Sequence, residues 1–130
     1  MNPQNNSKLE GTKLANFNPI DSVAELQIID IADGSGDVVP EGATITAHYT
    51  GAICKDGTIF QSSHDFGEAI TFPLSGVIQG WTKGVPGMKV GGTRRLVIPA
   101  AMAYGAQSPS ANIPPNSDLV FDIELVSIGR

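Results

Sequence analysis

The sequence predicts an α+β fold, a curved antiparallel β-sheet of five to six strands wrapped around one short α-helix. Three observations predict it. Short runs of alternating apolar and polar residues are broken repeatedly by Gly and Pro, the mark of a small β protein. An Asp-Gly pair, Asp56-Gly57, stands between two apolar runs as a hairpin signal. At one place only, the alternation gives way to spacings of three and four: Val77, Ile78, Trp81 and Val85 form one face of a short helix, and it carries the single tryptophan. A lone helix in a β-rich chain fills the hollow of a curved sheet, so Trp81 is either core filler or the floor of a pocket.

The elements follow in order. Residues 1–20 are rich in Asn and Lys with little to bury, and are expected to form a flexible leader. The domain proper is expected over 21–130. Val23 to Ile31 is strand-like and closes in the turn Asp33-Gly34-Ser35-Gly36-Asp37. After Pro40-Glu41-Gly42, the stretch Ala43 to Gly51 alternates cleanly, with Ile45, Ala47 and Tyr49 on one face and Thr44, Thr46, His48 and Thr50 on the other. The hairpin joins Ala52-Ile53 to Ile59-Phe60. Gln61 to Ala69 is polar and predicts a loop or bulged edge, and Ile70-Thr71-Phe72 a short strand. The helix stops at Val85-Pro86-Gly87, where Pro and Gly cannot continue it. Thr93 to Ile98 and Leu119 to Ile128 complete the strands. Between them lies a long connection, Pro99 to Ser117, without periodicity; loops of that length in a compact domain are usually functional. The alternation implies that one sheet face is wet and the helix covers the other.

Bulk properties narrow the function. At 130 residues there is room for one core and no separate catalytic lobe. The net charge of −5 argues against binding nucleic acid, which needs a basic face. The one basic pair, Arg94-Arg95, reads as a solvated edge. Cys54 is alone, which excludes a disulfide framework and a thiolate zinc site and fits a reducing compartment. No apolar run reaches membrane-spanning length and the first residues lack an apolar signal core, so a cytoplasmic protein is expected.

Hydrolytic and metal chemistry find little support. His48 and His64 sit on a polar strand face and in a polar loop, with no nucleophile elbow and no metal-ligand spacing. Asp118, Asp122 and Glu124 alternate with apolar residues as on any amphipathic strand, and read as a solvated face. What stands out is aromatic placement. Tyr49, Phe60, Phe72, Trp81 and Phe121 fall on inferred strands or the helix, where core is the plain reading for each. Tyr104 argues otherwise: it lies in the long loop, where a tyrosine could close over a pocket and offer its hydroxyl to a ligand.

Several segments together carry a resemblance. They are Asp33-Gly34-Ser35-Gly36, His48-Tyr49-Thr50-Gly51, Asp56-Gly57-Thr58-Ile59-Phe60-Gln61-Ser62-Ser63, Val77-Ile78-Gln79-Gly80-Trp81, Gly87-Met88-Lys89-Val90-Gly91, Ala103-Tyr104-Gly105, Ile113-Pro114-Pro115 and Leu119 to Leu125. In this order and spacing, covering Val23 to Ile128, the chain resembles the FKBP-type peptidyl-prolyl cis-trans isomerases, immunophilins that bind tacrolimus and rapamycin. The resemblance implies that Tyr49, Phe60, Ile78, Trp81, Tyr104 and Phe121 carry catalysis, and that Gln61, Ile70, Phe72, Val77 and Ile113 contact substrate. It implies a prolyl pocket floored by Trp81, with the Ile78 N–H and the Tyr104 hydroxyl as donors to ligand carbonyls. No cofactor is implied. The expected partners are proline-containing peptides and unfolded or folding proteins, with neither nucleic acid nor membrane.

That chemistry suits residues with no nucleophile among them. Rotating a peptide bond crosses a barrier of about 18–20 kcal/mol without breaking a bond, and uncatalysed X–Pro rotation takes roughly tens of seconds or more. The chain departs from the family pattern at Gln61, where an Asp is usual, so macrolide binding is expected to be weakened and isomerase activity kept. Ile70 replaces a common aromatic, and Pro109 and Asn112 alter the overhanging loop. The segment Ser63 to Ile70 leaves no room for an inserted chaperone domain, and a monomer is expected. The alternative reading, from another class, is a non-catalytic proline-peptide-binding module of the same fold.

Overall fold

The fold, obtained as a computed structural model, is described for residues 9–129. Six strands form one sheet: β1 (Gln27–Ala32), β2 (Thr44–Ile53), β3 (Ile59–Ser62), β4 (Ile70–Pro73), β5 (Thr93–Ile98) and β6 (Leu119–Ile128). Their order is β1-β5-β6-β2-β3, all antiparallel, with β4 also paired to β2. β2 is the hub. It pairs with β6 along one side, and along the other with β4 at Thr44–Ala47 and with β3 at Thr50–Ala52. Bulges at Asp30/Ala32, Thr46/Ala47 and Gly51/Ala52 bend the sheet toward its concave face.

The helix α1 (Gln79–Gly84) lies in that hollow. Six residues are too few to hold a helix in water, so packing holds it. A Cβ on Gly80 would stand 2.6 Å from Ile98, so only glycine lets the helix come this close to β5. The Thr82 hydroxyl donates to the carbonyl of Leu74 at 2.6 Å. At the helix C-terminus Arg94 donates to the carbonyls of Gly84 and Pro86, satisfying acceptors that no helical N–H can reach. Arg94 is therefore buried and paired with Asp30, not the solvated edge its sequence suggests.

The helix starts later than its apolar spacing predicts. Val77 and Ile78 are extended, and Ile78 is the cap residue before the first turn. The first strand likewise begins at Gln27: the N–H of Val23 goes to the Asp118 carboxylate instead of a ladder partner. β2 runs without a break through Ala52-Ile53 into the predicted hairpin. Gln61 and Ser62, expected in a loop or bulged edge, belong to the edge strand β3, which faces a bulge in β2, and the turn after them is a single 3-10 turn, Ser63–Asp65.

Two cores result. The larger, on the concave side, gathers Ile45, Ala47, Leu74, Trp81, Val85, Leu96, Ile98, Ile123 and their neighbours. The second lies on the opposite face, where the alternation predicted water: Leu14, Val23, Ala52, Cys54, Ile59, Val97 and Val120, with Phe17 and Ile20 against them. Its cover is the stretch read from sequence as a flexible leader. Residues 9–20 are bonded along β3 and the hairpin: Gly11 N–H to Ile59, Ile59 N–H to Thr12, Leu14 N–H to Gly57 and Ile20 N–H to Cys54. Arg95 ties them down, donating to Ala15 and Asn16 while it pairs with Asp122 at 2.6 Å and stacks on Phe17. The leader expectation thus fails for residues 9–20; its remainder, residues 1–8, lies outside the described residues. The Asp122 and Asp118 carboxylates are also occupied, the latter accepting from Val23 and Ala100.

Candidate active site

A cavity of about 500 Å³ opens between the concave face, the helix and the long loop. That is within the range of small-ligand sites. Its lining is Tyr49, Phe60, Gln61, Phe72, Gly76, Val77, Ile78, Trp81, Tyr104 and Phe121.

The rings hold each other. Trp81, 4% exposed, meets Tyr49, Phe72 and Phe121 edge-on, with centroids 5.7, 5.0 and 5.4 Å away. Phe60 meets Phe121 at 5.6 Å and 86°. These are the favoured geometries for aromatic quadrupoles. They depend on Gly51 in β2, where a Cβ would stand 2.6 Å from Phe60 and 2.7 Å from Phe121. Rings braced edge-to-face cannot collapse into the space they enclose, so the cavity stays open.

Polar groups are few and placed at the edges. The Tyr49 hydroxyl donates to Gln61 Oε1 at 2.7 Å, across the β2–β3 pairing. One lone pair of the amide oxygen expected to serve a ligand is therefore engaged, and the Gln61 amide also presents an –NH₂ donor. Burial, and secondarily the neighbouring Tyr104, push the Tyr49 phenol above its usual range. Burial does the same to Tyr104. Both hydroxyls therefore stay protonated as donors at working pH. Among the described residues, neither the Ile78 N–H nor the Tyr104 hydroxyl has a hydrogen-bond acceptor. The indole N–H of Trp81 is buried without a partner as well.

Nine of the eleven residues proposed from sequence line the cavity, since all of them except Ile70 and Ile113 do. Ile70 pairs with Ala47 in the β2–β4 ladder and is half-buried against the concave core. Ile113, 5% exposed, lines an adjoining groove with Phe60, Gln61 and Tyr104. Gly76 lines the cavity and was not foreseen; the only signal was its place before Val77, at the entry to the helix.

Three groups outside the cavity bear on its chemistry. Cys54 is fully buried and its thiol is pushed up to about 12 by burial and, less, by Asp118; it is a poor nucleophile. His48 and His64 stack with centroids 4.2 Å apart, a juxtaposition the sequence did not reveal. His64 bonds to Glu124, and His48 to the buried Ser63 hydroxyl, which accepts the Tyr49 N–H. Among the described residues no cluster of His, Cys, Asp and Glu could hold a metal ion, and no helix is long and apolar enough to cross a membrane.

Comparison with known proteins agrees with this geometry. The family model for FKBP-type peptidyl-prolyl cis-trans isomerase matches residues 36–126. The peptidyl-prolyl cis-trans isomerase FPR2 of Saccharomyces cerevisiae is 47% identical over 67% of this chain and 66% of its own length. The FK506-binding protein of Neisseria meningitidis serogroup A is 42% identical over 82% of this chain and 98% of its own. The chain thus spans slightly less than two thirds of the yeast relative and nearly all of the bacterial one. Among solved structures, FkpA of Escherichia coli superposes with a TM-score of 0.72 at 41% identity, over 79% of this chain and 47% of FkpA. With the matched stretch running from the turn before β2 into β6, and with the aromatic cavity inside it, the chain belongs to the FKBP-type peptidyl-prolyl cis-trans isomerase family.

Proposed function

We propose that this chain is a peptidyl-prolyl cis-trans isomerase that speeds rotation about X–Pro bonds in peptides and folding proteins, without covalent chemistry. One observation carries the reading: an aromatic-walled cavity over Trp81 with two donors, the Ile78 N–H and the Tyr104 hydroxyl, uncommitted among the described residues, at its edge. The planar amide is charge-separated by resonance; the twisted one is less so. Apolar walls therefore disfavour the ground state more than the transition state. Fixed donors to the flanking carbonyls hold the chain in its twisted form, which is catalysis by differential binding. Trp81 floors the proline ring, Tyr49, Phe60, Phe72, Val77 and Phe121 wall it, and Ile78 and Tyr104 orient the backbone. Ile70 and Ile113 support this site from beneath and beside it.

The test is a prolyl isomerisation assay with and without rapamycin. Rates above the uncatalysed background are expected. Peptide binding with rates at background would instead assign a non-catalytic proline-peptide module. Macrolides of the rapamycin and tacrolimus type bind the same cavity, weakened because Gln61 carries no charge and shares its oxygen with Tyr49. Gln61→Asp is expected to tighten rapamycin binding about five- to tenfold, since a charged acceptor adds roughly 1 kcal/mol to a hydrogen bond; titration calorimetry showing equal affinity would count against this. The chain works as a monomer, and its buried, unpaired Cys54 suits a reducing compartment such as the cytoplasm.

A further inference from the structure

The prolyl cavity does not end at Gln61. A second groove, of about 330 Å³, continues from it, sharing Phe60, Gln61 and Tyr104 and extending to Ser110, Asn112, Ile113 and Glu10. Glu10 is its one charged wall, and it comes from the segment that covers the far side of the sheet. That segment rounds the sheet edge beside the 3-10 turn, where the Leu9 and Glu10 N–H groups both donate to the Asp65 carboxylate. Asn112 Nδ2 then donates to Glu10 Oε2 at 2.8 Å, fixing the carboxylate against the long loop. Asn112 is neutral, and Glu10 has no ion-pair partner among the described residues. Lys13, the one cation on residues 9–20, is turned to Thr58 and lines a different hollow. The groove is thus continuous with the site and carries a negative charge that no described residue compensates, with Asp65 adding to it from behind.

We propose that this groove binds the substrate residue flanking proline and that Glu10 selects a Lys or Arg there. The inference rests on the isomerase reading, because the groove matters only to a chain already seated by its proline. Glu10 is exposed, and an exposed ion pair shifts an equilibrium only about 1.4- to fivefold, so the preference is modest; repulsion of a Glu at the same place adds to it. It weakens in high salt, because the pair is open to screening over roughly 10 Å at 0.1 M.

The experiment measures kcat/KM by NMR exchange, which needs no coupling protease, on peptides with Lys, Gln or Glu on either side of one proline. On one side of proline the native chain is expected to favour Lys over Glu by two- to fivefold at low salt. Glu10→Gln, which keeps the acceptor for Asn112, is expected to erase that difference, and Glu10→Lys to reverse it. Equal rates for Lys and Glu peptides on both sides, or a preference that survives both substitutions, would overturn the proposal. A uniform fall across all peptides in Glu10→Gln would also overturn it, leaving Glu10 as a strap for the loop. Background rates on every peptide would remove the isomerase reading itself, and with it this one.

Discussion

The two faces of the sheet are built from alternate residues of the same strands, yet one is walled by aromatic rings and the other is covered by residues 9–20. On the concave face, β2, β3, β4 and β6 present Tyr49, Phe60, Phe72 and Phe121, and α1 adds Trp81. These rings brace one another edge-on and leave a cavity. On the convex face the same strands present Ala52, Ile59 and Val120, with Cys54 just beyond β2. Small aliphatic groups admit a close cover, and Leu14, Phe17 and Ile20 supply it. Side-chain shape, more than hydrophobicity, therefore decides which face keeps a ring-walled cavity and which takes a covering segment. The cover also links the faces, since residues 9–20 that seal one reach the rim of the other through Glu10.

The sharpest way to break the comparison is on the open side. Trp81→Ala removes the shared contact of three rings, and large buried aromatics cost about 3–5 kcal/mol on truncation. Urea unfolding is expected to show that loss, and isomerisation of a proline peptide to fall to background. A variant that kept its rate would mean the floor of the cavity is not where catalysis happens.

On the covered side the corresponding change is Arg95→Ala. It frees Asp122 and two backbone carbonyls at once, and the Asp122 hydrogen bonds hold the Arg95 pKa above its ordinary value despite partial burial. A loss of about 2 kcal/mol is expected, with hydrogen exchange rising first at the N–H groups of Leu14 and Ile59. Turnover of uncharged peptides is expected to hold within about twofold. Equal damage to activity would show that the two faces are mechanically one unit.

At neutral pH the smallest effect belongs to Cys54, whose contribution changes only at high pH. Its thiol is raised from 9.0 to about 12 in the fold. The native state therefore keeps its proton where the unfolded chain has lost it, and stability falls as pH rises from 9 toward 12. Urea midpoints for the native chain and Cys54→Ala should diverge in that direction above pH 9. Parallel curves would mean that the thiol is not held protonated by the second core.

Much of this was legible in local pattern. β5 and β6 could be read to the residue, because strict alternation leaves one register that buries the apolar set. Trp81 was placed on the helix by spacing alone. The wall residues came from motif order, and nine of the eleven line the cavity; Ile70 lies in the β2–β4 ladder and Ile113 in the adjoining groove, because a motif fixes where a residue sits along the chain but not where its side chain ends. The segment 9–20 was misjudged on composition. Its signal was present in Leu14, Phe17 and Ile20, three apolar residues at equal spacing in a polar stretch, but what they cover lies on other strands.

Period and punctuation were sufficient for the order and type of the strands and for the single helix, because each depends on neighbours within a few residues. Only the folded chain decided how the polar groups are used. Tyr49 takes the Gln61 oxygen across 12 residues, Arg95 holds Ala15 across 80, and Asn112 holds Glu10 across 102. A hydrogen bond needs its two atoms within about 3 Å, and no sequence separation of that size specifies such a distance until the sheet has closed.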